Sequence, residues 1–221
     1  MSAQGLGNNS PRTYFKVKNG YIVITIKADQ EERNLDLIQN CQTYNALKNE
    51  KGVDIIDICY GHFEGYVRNI EAFENDYGKS WNVTFETQSG DVFVWSVIYD
   101  SLLFQSFINC LASIDDNNIG SIKLQPWKGI DNKGKEQTKL SIQHNGNKLN
   151  WKFLPEELPP ITTAKDEDGN DLTDAKGNLI YNKKKRMNWL IGEVDKIVTK
   201  IKAFQPVKQA AQEVEADEQP Y

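Results

Sequence analysis

WNVTFETQSGDVFVWSVIYDSLLFQSFINCLASID, residues 81–115, decides the fold. Trp81, Val83 and Phe85 alternate with Asn82, Thr84 and Glu86. A period of two with one apolar face predicts a half-buried strand. Ser89-Gly90-Asp91 then reads as a turn. DVFVWSV, residues 91–97, is apolar on both faces, as expected of a central strand. Phe93 and Trp95 on it are expected core. Leu103, Phe107, Cys110 and Ile114 recur at helical spacing, and Asp100 or Ser101 can cap the start of that helix. The stretch therefore predicts strand, turn, strand, helix.

On the N-terminal side, DIIDICY, residues 54–60, and FEGYVRNIEAFEND, residues 63–76, predict strand, or one long bent strand. Further out, TYFKVK and YIVITIK flank Asn19-Gly20 and predict a hairpin, because Asn-Gly supplies the positive φ angles of a tight turn. Residues 28–51 are polar, with Leu35, Ile38 and Leu47 loosely spaced, and read as a helical or irregular excursion.

On the C-terminal side, SIKLQPWK, QTKLSIQH and KLNWKF alternate again, and Asn145-Gly146 turns the last two. Pro155, Pro159 and Pro160 end the strand region, since proline cannot continue a ladder. Residues 165–182 hold two glycine turns and read as a hairpin or loop. Trp189, Leu190, Val194, Ile197, Val198 and Ile201 predict an amphipathic helix over 186–204. Three strands, a helix and further strands is the order of an OB-fold, a five-stranded Greek-key barrel with its helix between the third and fourth strands. The expected architecture is mainly β: an OB-fold-like barrel with an inserted helix, an extra N-terminal hairpin and a C-terminal helix. Residues 1–12 and 205–221 are too polar to bury a core and are expected to be disordered, leaving a single domain over 13–204.

The chain of 221 residues carries a formal charge of −5. That balance opposes nucleic-acid binding unless the charge is segregated, and it is. Residues 119–153 hold seven lysines against Asp131 and Glu136, and residues 176–204 hold eight basic residues against Glu193 and Asp195. The remaining acid is concentrated elsewhere, notably in the tail. Cys41, Cys59 and Cys110 are odd in number and widely spaced, which suits reduced thiols in a cytoplasm. No secretory leader is read at the N-terminus, and no apolar run approaches the roughly 20 residues of a membrane span.

Catalysis needs a positioned constellation of reactive groups. His62 and His144 are the only histidines, and no GxSxG, P-loop, GxGxxG or HExxH motif occurs. Cys59 and His62 have the spacing of half a zinc site, but the other possible ligands occur singly, so neither a metal nor another cofactor is expected. No enzyme is predicted. A single-strand binder needs instead a positive groove and exposed rings on which bases stack. Trp127 and Lys128 open a loop rich in Gly and Lys, and Trp127 reads as a stacking platform or as a ring packed at the barrel rim. Lys123, Lys135, Lys139, Lys148 and Lys152 complete the basic cluster. Leu149, Trp151 and Phe153 share a face, with Trp151 placed toward the core. Tyr66 and Arg68 share a strand face, Tyr77 lies in the following turn, and Lys79 and Trp81 begin the next strand. All of these except Leu149, Trp151 and Phe153 form the candidate set for single-stranded DNA. The competing reading is a β-rich structural or carbohydrate-binding module, which would need the exposed tryptophans but not the clustered lysines.

The region Asp54–Phe153, the segment quoted first, the run KLNWKFLPEELPPI and the tail EVEADEQPY together resemble the single-stranded DNA-binding proteins of tailed phages. The resemblance implies sequence-independent binding and protection of single-stranded DNA in replication or recombination, in the cytoplasm of the host cell. It also implies a tail, through Glu213, Glu215, Asp217, Glu218 and Tyr221, that recruits replication or recombination proteins. The tail departs from the family's commonest pattern in its Gln219-Pro220 and in ending on Tyr.

Overall fold

The computed structural model describes residues 12–76, 78–115, 119–131 and 134–203. Their architecture is mainly β: one large mixed sheet, not closed into a barrel, with two long helices. The N-terminal hairpin forms as expected from β1 (Arg12–Lys18) and β2 (Tyr21–Lys27), turning at Asn19 and Gly20, both at positive φ. β1 starts at Arg12, one residue inside the segment expected to be disordered. Residues 28–51 contain two 3-10 turns, the short helix α1 (Leu35–Gln39) and a strand, β3 (Thr43–Lys48). That strand has every residue exposed, so it carries no alternation by which to recognise it.

β4 (Asp54–Tyr60), β5 (Phe63–Asn75), β6 (Gly78–Glu86) and β7 (Val92–Ile98) follow, then helix α2 (Leu102–Ala112), β8 (Ser121–Ile130), β9 (Glu136–His144) and the two-residue β10 (Asn147–Lys148). The sheet order is β10-β9-β8-β5-β6-β7-β1-β2-β4-β3. The expected five-stranded closure is corrected here. β7 gives its second edge to β1, in parallel, so a β7–β9 pairing that would seal a barrel does not form. The sheet instead curls until the β1–β2 turn touches β8 and β9. Gly20 N–H donates to Thr138 Oγ1 at 3.2 Å, and a Cβ on Gly20 would stand 2.9 Å from Lys128 Cγ.

The curl encloses one aromatic and aliphatic core. Phe15, Phe85, Trp95, Phe104 and Phe107 are all at most 1 % exposed. α2 lies inside it, started by Ser101, whose Oγ accepts from Leu103 N–H. Helix α3 (Lys184–Ala203) buries Leu190, Val194, Ile197 and Ile201 of the predicted stripe, together with Met187, against α2 and β5, while Trp189 and Val198 are half-buried. Between β10 and α3, β11 (Thr162–Thr163) pairs with β12 (Tyr181–Asn182). The two glycine turns inside that pair are locked by Asp166 and Asp174, whose carboxylates accept from the backbone N–H of Asn170 and Asn178.

Candidate nucleic-acid interface

β8 buries Ile122, Leu124 and Pro126 and turns Lys123, Gln125 and Trp127 to the opposite face. Pro126 sits beyond Leu124, the last β8 residue paired with β5, so its missing N–H costs no bond to that strand. The register therefore continues past it, and Trp127 faces Lys139 across the β8–β9 ladder. The Lys139 ammonium stands 5.2 Å from the centroid of the Trp127 ring, a cation–π geometry. Trp127 is 47 % exposed.

KLNWKF does not continue as a strand after Lys148. Asn109 of α2, 2 % exposed, captures it. Its Nδ2 donates to Phe153 O at 2.8 Å, and Phe153 N–H donates to its Oδ1 at 2.9 Å. Lys152 N–H also donates to the Asn109 carbonyl. Phe153 then packs edge-on against Trp189 of α3 at 5.6 Å. Pulled from the sheet in this way, Trp151 turns outward and is 45 % exposed, which corrects its expected place in the core.

Trp127 and Trp151 line one cleft of about 550 Å³ along the part of β9 that β10 leaves uncovered. Leu102, Leu103 and Leu158 supply apolar walls, and Lys139, Lys148 and Arg186 are its cations. Among the described residues no acidic side chain lines it. Arg186 is positioned by donating from Nε to Pro159 O at 2.6 Å, and burial lowers its pKa. Burial pushes the Cys110 thiol below this surface up to about 11, while the positive charge of Lys148 pulls the other way. Half-exposed rings beside cations that form no ion pair among the described residues can hold an extended, planar, anionic ligand.

The remaining candidates divide. Lys128 pairs with Glu136 at 3.6 Å beside the cleft, and Lys135 lies in the β8–β9 loop, held by Asp131 through its backbone. Lys152 lies over the Phe153 ring, 5.5 Å from its centroid. Lys123 is on the Trp127 face of β8 but opposite Glu64. Tyr66 and Arg68 do meet, 5.5 Å apart, but Arg68 is bound to Glu86 at 2.8 Å, and this acid-laced patch is separate from the cleft. Lys79 pairs with Glu74 at 3.3 Å. Trp81 is corrected outright: it is 4 % exposed, stacked between Tyr99 and Phe104 at 5.1 and 4.9 Å, and has no free face for a base. Tyr77, Glu213, Glu215, Asp217, Glu218 and Tyr221 lie outside the described residues.

Arg186 and Asn109 were not singled out from the sequence, and Leu103 was read only as part of a helical stripe. Arg186 comes from a segment remote in the chain, and Asn109 reads as one polar residue on an apolar helix. Cys59 is buried in β4, and among the described residues no three His, Cys, Asp or Glu side chains gather into a metal-holding group. Nor is any described helix long and apolar enough to cross a membrane. No protein-family model, curated protein or solved structure matches the chain.

Proposed function

We propose that this chain binds single-stranded DNA without regard to base sequence and protects it during replication or recombination, as a phage-type protein whose acidic tail recruits partners. One observation carries the reading: a cleft that presents two half-exposed tryptophans and three cations and, among the described residues, no acid. Bases of every kind have a π face for such rings, and the cations suit the phosphates between them. A sugar platform would use the rings but gives no reason for the cations.

The strand order supports the same reading. β9-β8-β5-β6-β7, with α2 between β7 and β8, is the pairing order of an OB core. We read the sheet as such a core held open by β1. The β5–β6 turn and the β8–β9 loop then correspond to the loops through which OB-folds hold oligonucleotides.

The test is a titration of oligo-dT against duplex DNA at two salt concentrations. Three phosphate contacts, one per cleft cation, predict a log–log salt slope of about −2 on single strands. Preference for duplex, or an affinity indifferent to salt, overturns the proposal.

A further inference from the structure

We propose that the DNA track does not end at the tryptophan cleft but continues past Leu103 into a second cleft, which holds phosphate and sugar without stacking a base. This rests on the reading above and extends it. The second cleft, about 540 Å³, lies between β1 and the ends of β6 and β7. Leu103 lines both clefts, and Leu102 and Ser101 line one each, so the start of α2 is their common wall.

The chemistry of the second cleft continues that of the first. Lys16, Lys18 and Lys79 line it, with the hydroxyls of Ser80, Ser96 and Ser101. Among the described residues no acid lines it, whereas Asp36 and Glu64 each line one of two other concavities. Two of its cations are already engaged, Lys18 with Asp57 at 2.7 Å and Lys79 with Glu74 at 3.3 Å. Lys16 is exposed and, among the described residues, forms no ion pair. Lys16 is therefore the cation most available to a phosphate.

The aromatic content differs between the two. The tryptophan at the second cleft, Trp95, is 0 % exposed and offers no ring face, while Ile98 at its rim is 70 % exposed. An occupant gains charge neutralisation and apolar contact there, but no stacking. Its binding adds salt-dependent affinity and no further tryptophan quenching, a signature that separates the two clefts. Lys16 and Lys18 belong to the N-terminal hairpin, so the strand that keeps the sheet open also widens the binding surface.

The experiment titrates the full chain with oligo-dT of about four and about twelve nucleotides, within the span of roughly 4–16 covered by an OB-type site. Intrinsic tryptophan fluorescence is followed at several salt concentrations, for the native chain and for Lys16→Ala. The expected result is equal maximal quenching by both lengths, tighter binding of the longer one, and a salt slope steeper for it by about 0.7 for each added phosphate contact. Lys16→Ala should lower that slope by about 0.7 and weaken the longer oligonucleotide several-fold at low salt, with the shorter one unchanged. Equal slopes for the two lengths, or an equal effect of Lys16→Ala on both, overturn the second cleft while leaving the first standing. If neither length binds, the reading of the first cleft fails and this one fails with it.

Discussion

Lys139 holds its ammonium 5.2 Å from the centre of the Trp127 ring, and the two residues are direct partners across the β8–β9 ladder. A charge for phosphate and a plane for a base are thus set side by side on rigid strands rather than on a loop. Trp127→Ala should weaken oligo-dT binding by about 1–3 kcal/mol. The ring is half-exposed, so the melting temperature should barely move. Fluorescence anisotropy and a thermal melt on the same preparation check both. A variant that melts well below the native chain yet binds as tightly would make Trp127 a packing residue.

Trp81 should behave in the opposite way. It is wedged between Tyr99 and Phe104, and its Nε1–H donates to Tyr99 O at 3.0 Å. Trp81→Ala should cost about 3–5 kcal/mol of stability in a denaturant titration, while molecules still folded keep their DNA affinity. Trp151→Ala should lose affinity and little stability.

Gly20 closes the curl of the sheet. Its φ of +79° is strained for any side chain, and a Cβ would press on Lys128 at 2.9 Å from Cγ and 3.0 Å from N. Gly20→Ala should therefore destabilise by at least about 1 kcal/mol. Thr138→Val removes only the bond at this seam and should cost about 0.5–1.5 kcal/mol. A Gly20→Ala chain as stable as the native one would show that the hairpin does not seat on β8.

Asn109 holds the wall that carries Trp151. Replacing it by Ala leaves the Phe153 N–H and C=O without their partners, at about 1–3 kcal/mol for each group left buried. Trp151 should also lose its fixed place, so DNA binding should weaken in the fraction that remains folded. Hydrogen exchange at the Phe153 amide, faster in Asn109→Ala, reads the cause directly.

Alkali should destabilise the fold. Burial raises the Cys110 thiol from 9.0 to about 11 and the Tyr60 phenol from 10.0 to about 12. Both groups therefore hold their protons longer in the folded chain. Their contribution is fully present below the unfolded values of 9.0 and 10.0 and is lost as pH rises toward 11 and 12. Thermal melts should fall progressively across that window, and Cys110→Ala should remove the earlier part of the fall. A melting temperature unchanged from pH 9 to 12 would contradict both shifts.

Much of the fold was readable in residues 81–115, where period-two alternation, a Ser-Gly-Asp turn and a helical stripe follow one another. Asn19-Gly20 and Asn145-Gly146 marked turns because both pairs sit at positive φ. β3 was not readable, because a strand with no buried face has no pattern. The site was half-readable. The Gly- and Lys-rich loop beside Trp127 left that ring open between a stacking platform and rim packing, the alternation of KLNWKF placed Trp151 inward, and Trp81, on a patterned strand, was wrongly kept as a candidate for base stacking.

By itself, the sequence determined most of the segments that are strand, turn and helix, and where positive charge gathers, since periodicity and turn chemistry act over a few residues. Whether the strands close was decided only by the tertiary structure, because β1 and β7 lie far apart in the chain and their pairing competes for an edge that no local pattern records. The cleft was decided there too. One buried amide, Asn109, draws Phe153 out of the sheet and turns Trp151 outward. Arg186, from yet another helix, reaches the cleft only because α3 packs on α2.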